Sequence, residues 1–319
     1  MDDHPSWPEH RPYVEAAFRR FPDPGRHDSY AFVVASGGRV SGYYHAYSDV
    51  DLYAGLTPAA RGDQEIEAVV DGVVVQLSEL PHALVADVVT HLGEHLLTRA
   101  DRRQAEMFAR YGKIASRLVT GTVVRCTAEG AAVLGGLSRD AFRRIGLSVH
   151  GLFVARMLED AAGAVACADP YIGVRAAALA LDAALDCLLH EAGDLHWGDA
   201  LLWRRLAAHP GLAAAERLAA DSLRRLYSDL HEPDKALAAV RAACRTASVL
   251  ASLAAVRVTG ATGVPGLPTD ACTGRPTDDR VLPFTVAVNF RDGLSLLAPR
   301  SRVDLTAEEA CHELGLVVE

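Results

Sequence analysis

Gly37-Gly38-Arg39-Val40-Ser41-Gly42-Tyr43-Tyr44-His45-Ala46-Tyr47-Ser48-Asp49-Val50-Asp51-Leu52 is the stretch on which the reading of this chain turns. It follows an apolar run, Tyr30 to Ala35, predicted as a buried strand that ends in Ser36-Gly37-Gly38. A second strand is predicted over Asp49 to Tyr53. Carboxylates at i and i+2 on a strand point to the same face, so the oxygens of Asp49 and Asp51 can reach one ion. Carboxylates suit Mg²⁺, which binds hard oxygen ligands and keeps positions for water and substrate phosphate. A glycine pair after a strand lets the backbone approach a phosphate closely, and a helix starting there would add free N–H groups. The parts compose a nucleoside triphosphate site, with Asp49 and Asp51 on the metal and Ser36, Gly37, Gly38, Arg39 and Ser48 against the nucleotide. Arg39 would neutralise phosphate charge. His45 lies in the intervening loop, within reach of the triphosphate or the acceptor.

Outward from that stretch, Pro12 to Phe21 is predicted as a short amphipathic helix. Strands over Glu65–Val70 and Val73–Leu77 flank Asp71-Gly72, a strong hairpin signal. Residues 1–80 thus read as a small mixed-sheet α/β domain. From 81 to 258 the pattern becomes Ala-, Leu- and Arg-rich with helical spacing, predicting helices at 83–97, 101–118, 138–164, 171–192, 198–208, 212–229 and 233–257. Pro170, Gly193, Pro210 and Pro233 stand at the breaks. The 171–192 helix is apolar on every face and should be central in the bundle. Residues 259–278 read as a Gly/Pro/Thr-rich linker. Residues 279–319 read as a small module, a hairpin around Arg291-Asp292-Gly293 and a short helix opened by Thr306.

Of the 319 residues, 50% are hydrophobic and 23% charged, enough for a large core. Net charge is −9, which disfavours a nucleic-acid partner because phosphate contacts need a basic surface. No run reads as a membrane span, and the acidic start reads as no secretory leader, so a cytoplasmic location is expected. The six cysteines have no zinc-ligand spacing and read as buried, reduced thiols.

The order strand, glycine pair, a dozen residues, then Ser48-Asp49-Val50-Asp51-Leu52 resembles the DNA polymerase β-like nucleotidyltransferase superfamily, in particular its antibiotic and minimal nucleotidyltransferases. The resemblance covers about residues 30–80. The helical half looks like the partner domain of bacterial small-molecule nucleotidyltransferases, most at His196-Trp197-Gly198-Asp199-Ala200-Leu201-Leu202-Trp203-Arg204-Arg205-Leu206. Trp197 and Trp203 read as packing anchors there, while Arg204 and Arg205 are candidates to reach the phosphate tail.

The resemblance implies a metal-dependent transfer of a nucleoside monophosphate, AMP from ATP first, to a hydroxyl of a small molecule, with pyrophosphate released. Antibiotic modification and natural-product biosynthesis fit it equally, and a homodimer is compatible with it. It also implies a general base on the first long helix of the second domain, matched here by Glu159 or Asp160. Two departures stand out. Gly38 replaces the serine that many relatives carry. The third carboxylate expected from a neighbouring strand is missing. Alternation over Val73–Ser78 turns Val74 and Gln76 toward the site, so Gln76 is expected in its place, with Asp71 and Glu79 as spare carboxylates. The gap keeps a second reading open, a weakened nucleotide- or partner-binding protein. A third follows from residues 281–319, which resemble winged-helix-like modules that hold leader peptides and would make the acceptor a peptide.

Overall fold

A computed structural model describes residues 7–20, 24–198, 201–260 and 284–313 of the chain. These residues form two compact units. One holds residues up to 95, then 106–142 and 195–201. The other holds 96–105, 143–194 and residues from 202 onward. This differs from the division expected at residue 80. The α/β unit runs further because it needs more helices to cover its sheet, and the C-terminal module belongs to the helical unit. Most of the expected 259–278 linker lies outside the described residues.

In the first unit, α1 (Trp7–Arg20), β1 (Tyr30–Ser36), α2 (Gly38–Ser41), β2 (Val50–Leu56), β3 (Glu65–Val70), β4 (Val73–Leu80), α3 (His82–Leu92), α4 (Arg103–Thr120), β5 (Thr122–Cys126) and α5 (Ala128–Gly135) follow one another. The sheet order is β3-β4-β2-β1-β5. Only β2 and β4 run parallel. The Asp71-Gly72 turn closes the β3–β4 hairpin with φ of 49° and 79°, both positive as a two-residue type I′ turn demands. One sheet face buries Val33, Ala35, Leu52, Ala54, Val75 and Leu77 under Val14 and Ala17 of α1. The other buries Phe32 and Val34 against Val85 of α3 and Leu118 of α4. The short strand β5 was not anticipated. It pairs with β1 across more than eighty residues of chain, so no local pattern announces it.

The second unit contains most of α6 (Arg139–Ala166), then α7 (Pro170–Glu191), α8 (Leu202–Ala207), α9 (Ala213–Ser228), α10 (Pro233–Arg257), β6 (Val286–Phe290), β7 (Gly293–Ala298), β8 (Ser301–Leu305) and α11 (Ala307–Glu313). Asp169 caps α7, its side chain accepting from Tyr171 N–H and Ile172 N–H, with Pro170 in the first turn. α7 and α10 make the centre, lined by Ala177, Ala180, Ala184, Ala243, Ala247 and Ala251, whose small side chains let the helices approach. Arg205 of α8 is fully buried and bonded to Asp186 (3.0 Å) and Asp194 (3.2 Å). It is spent inside the fold, so it does not serve as a free phosphate arm. Trp203 is partly exposed. α10 is long and apolar enough to cross a membrane by length and composition, yet 83% of its apolar window is buried in the fold.

The C-terminal module has three strands rather than the expected hairpin, in the order β6-β7-β8. It docks on α10, where Ser252 Oγ accepts from Ala287 N–H and Ser248 Oγ donates to the Thr285 carbonyl. Thr306 and Glu309 form a capping box at α11, with the Thr306 N–H donating to Glu309 Oε2 (2.7 Å) and the Glu309 N–H to Thr306 Oγ1 (3.2 Å). Of the four cysteines whose side chains are described, all are free thiols. Cys187 and Cys244 are buried as expected, but Cys126 and Cys167 are exposed.

Candidate functional site

The chain leaves the buried strand β1 at Ser36 and turns sharply at Gly37, whose φ is 92° and ψ −179°. That region is essentially closed to residues with a side chain. Gly37 is needed for a second reason. A Cβ there would sit 2.3 Å from Asp51 Oδ2, so the glycine backbone lies directly on the carboxylate. Gly38 differs. It opens α2 without a positive φ, and a Cβ would meet Tyr44 at an ordinary 3.6 Å. α2 is a single turn ended by Gly42 at φ 78°, so the expected helix start contributes no dipole of consequence.

The loop from Tyr43 to Asp49 is held from within. Arg39 is only 9% exposed and donates to the carbonyls of Ser48 and Ala46, the latter at 2.9 Å, while its guanidinium lies over the Tyr44 ring. Its Nε and Nη2 are therefore engaged in positioning the loop that delivers Asp49. Ser48 Oγ accepts from His45 N–H (3.0 Å), and Ser48 N–H donates to the His45 carbonyl (2.9 Å). His45 Nδ1 accepts from Tyr47 N–H (3.2 Å). Ser48 and His45 thus close the turn before the carboxylates. Two further contacts, which the sequence does not announce, buttress the same stretch. Ser41 bonds the His196 ring. His10 of α1 is 3% exposed and meets the Tyr44 ring edge-on at 5.2 Å. Burial first, then Arg39, lowers the His10 pKa, against a smaller opposing pull from Glu9. Trp197 packs on Phe108 and Gly112 as an anchor.

Asp49 immediately precedes β2, and Asp51 lies one residue inside it, with Val50 between them facing the core. Strand register sets a row on the Asp51 face of the sheet. Asp51 is opposite Ser36 of β1 and Gln76 of β4, and Gln76 is opposite Glu67 of β3. Gln76 stands beside Asp51, with Val73, Val75 and Leu77 buried on the opposite face. Gln76 Nε2 donates to Glu67 Oε2 (3.3 Å). Glu79 faces away and is consumed by Arg26, Tyr30 and the Gln64 N–H. Burial pushes its carboxyl up, but those three donors outweigh it and hold the group below its ordinary value. Asp71 belongs to the hairpin turn. Neither spare carboxylate joins Asp51.

α4 covers this face. Arg117 Nη2 lies 3.7 Å from Asp51 Oδ2, and Lys113, one helical turn earlier, also acts on Asp51. Burial raises the Asp51 pKa. Arg117 and Lys113 oppose that shift, while Asp49 adds to it. Burial and Asp51 likewise push the Tyr53 phenol up. Among the described residues, the buried Ser36 Oγ and Arg117 Nε have no hydrogen-bond partner.

Two carboxylates at one strand start, an unsatisfied hydroxyl opposite one of them and a glycine turn that leaves no room for a Cβ fit a single Mg²⁺, an ion usually held by one or two carboxylates and completed by water and phosphate. No group of three or more His, Cys, Asp or Glu suited to a metal occurs among the described residues. Glu159 and Asp160 are exposed on α6 in the second unit. Their base role rests on the resemblance alone.

No protein-family model matches the chain, and no curated protein does. Among solved structures, the chain is similar to a nucleotidyltransferase-like protein from Exiguobacterium sibiricum at 11% identity over 78% of both chains, with a TM-score of 0.38. That likeness is too loose to support a residue-by-residue comparison, and the site rests on its own geometry.

Proposed function

We propose that the chain is a nucleotidyltransferase that moves a nucleoside monophosphate, AMP from ATP in the first instance, to a hydroxyl of a small molecule. The observation that carries this reading is the Gly37 turn seated on Asp51, with Asp49 two residues earlier at the same strand end. In the proposed reaction the acceptor hydroxyl oxygen forms a bond to the α-phosphorus, the bond from that phosphorus to the α–β bridging oxygen breaks, and pyrophosphate leaves with the electron pair. The hydroxyl proton passes to a base, a role that the resemblance alone would give to Asp160 or Glu159. Asp49 and Asp51 would hold Mg²⁺, which neutralises charge on the reacting phosphate. Gly37 and Gly38 give the phosphates a surface without side chains. Arg39, His45 and Ser48 keep the Asp49 loop in one geometry, because loss of alignment is costly for an in-line transfer.

The test is incubation with each of the four ribonucleoside triphosphates, Mg²⁺ and a panel of hydroxylated metabolites and aminoglycosides. Pyrophosphate release and a mass gain on one acceptor support the reading. Absence of release with every pair overturns it. A second reading, nucleotide binding without transfer, draws on Gln76 standing beside Asp51. Tight binding of a non-hydrolysable ATP analogue without release from ATP would select it.

A further inference from the structure

A second divalent ion beside Asp51 would need anionic oxygens, and the row across the sheet offers few. The neighbour on β4 is the neutral Gln76, already bonded to Glu67. Glu67 is two strands from Asp51, about 10 Å away at ordinary strand spacing. Positive charge is nevertheless already in place, because α4 sets Arg117 against Asp51 and Lys113 one turn away on the same side. We propose that Lys113 and Arg117 are the built-in cationic half of the nucleotide site, receiving triphosphate oxygens beside Asp51, so that the nucleotide binds with one divalent cation and not two. This rests on the nucleotidyltransferase reading above.

The hydrogen-bond inventory supports an anion at this place. Arg117 Nε and Ser36 Oγ are buried and without partners among the described residues. Ser36 is 1% exposed and lies opposite Asp51 in register. A guanidinium N–H can only donate, and the Ser36 hydroxyl carries a proton with no acceptor. Unsatisfied buried donors are costly, and phosphate oxygens beside Asp51 would satisfy both. Arg117 also bonds the Tyr53 side chain, and its contact to Asp51, at 3.7 Å, is a loose ion pair that leaves Nε without a partner. A guanidinium held this loosely can turn toward phosphate oxygens. Lys113 is exposed and supplies a mobile point charge for the outer phosphates.

The experiment uses the full chain with Mn²⁺ and α,β-methylene ATP. Bound Mn²⁺ is counted by electron paramagnetic resonance and analogue affinity by calorimetry. One Mn²⁺ per bound analogue is expected. Lys113→Met and Arg117→Met should each weaken analogue binding about tenfold or more, and Arg117→Lys less, since it keeps the charge. Circular dichroism establishes that each variant is folded, and the exposed Lys113 decides the matter if Arg117→Met is not. Two Mn²⁺ per analogue, or unchanged affinity in folded Lys113→Met, overturns this inference and leaves the transferase reading standing. No binding of the analogue by the parent chain overturns the transferase reading itself.

Discussion

Replacing Gly37 by alanine tests the geometry on which the site depends. The backbone at φ 92° and ψ −179° is strained for any residue with a Cβ, at a cost of about 1–3 kcal/mol. The new methyl also collides with Asp51. Its Cβ would start 2.3 Å from Oδ2, and contacts under 3.0 Å are not found in real structures, so the carboxylate must retreat by at least 0.7 Å. A misplacement of about 1 Å can cost on the order of a hundredfold in rate, so Gly37→Ala should lose most pyrophosphate release as well as stability. Gly38→Ala is the control. Its Cβ meets nothing closer than 3.6 Å and its φ is not positive, so melting should be unchanged or slightly higher. Scanning calorimetry reads stability. In an Asp51→Ala background the collision disappears, so the Gly37→Ala penalty should shrink to its backbone part and the two changes should be non-additive. Equal melting of Gly37→Ala and Gly38→Ala would refute the account.

Asp51→Asn should abolish pyrophosphate release without lowering the melting point at pH 7. Burial raises the Asp51 pKa in the fold, so the folded chain holds a proton that the unfolded chain releases, and parent stability should fall as pH rises from about 4 through the raised value. The variant should lack that fall, which a pH series of melts would reveal. Glu79→Gln should behave oppositely. The parent carboxyl is held low, so its stabilisation is full at neutral pH and is lost as pH drops below about 4, and the variant should be less stable by about 1.5–3 kcal/mol at pH 7 with a flatter acid limb. Arg205→Met removes the arginine partner of the buried carboxylates of Asp186 and Asp194, of which Asp194 keeps His209, and should cost about 3–5 kcal/mol in urea denaturation, without touching the nucleotide turn.

The parts of this chain that could be read from sequence are those whose causes are local. The Asp71-Gly72 turn requires two positive φ values, and its residues announce it. Alternation over Val73–Leu77 decides which side chains enter the core, and so it also placed Gln76 on the Asp51 face. Pro170 after Asp169, and Thr306 three residues before Glu309, carry their helix starts within one turn. What escaped was set by contacts distant in sequence. β5 exists because β1 has an edge to pair, and its five residues carry no period of their own. β8 is an exposed edge strand whose Arg302-Val303-Asp304 never had to alternate, since neither face is buried. The α/β unit extends past residue 80 because Phe32 and Val34 need α3 and α4 above them.

Charge was the least legible quantity, and for one reason. An arginine's role depends on which acceptors surround it. Arg39 sits beside the glycines and read as a phosphate ligand, but the carbonyls of Ala46 and Ser48 reach its donors first. Arg205 read as a phosphate arm and is locked between two aspartates. Arg117 drew no notice, because the four-residue spacing from Lys113 marks a helix face without saying what that face covers. Only the sheet, once paired, shows that it covers Asp51. Of the three arginines that read as phosphate groups, Arg39 holds a loop and Arg205 an interior ion pair, and the cation that meets the carboxylate comes from a helix outside the glycine–aspartate stretch altogether. A local motif can show where the negative ligands of such a site stand. The positive charge that complements them is a property of packing.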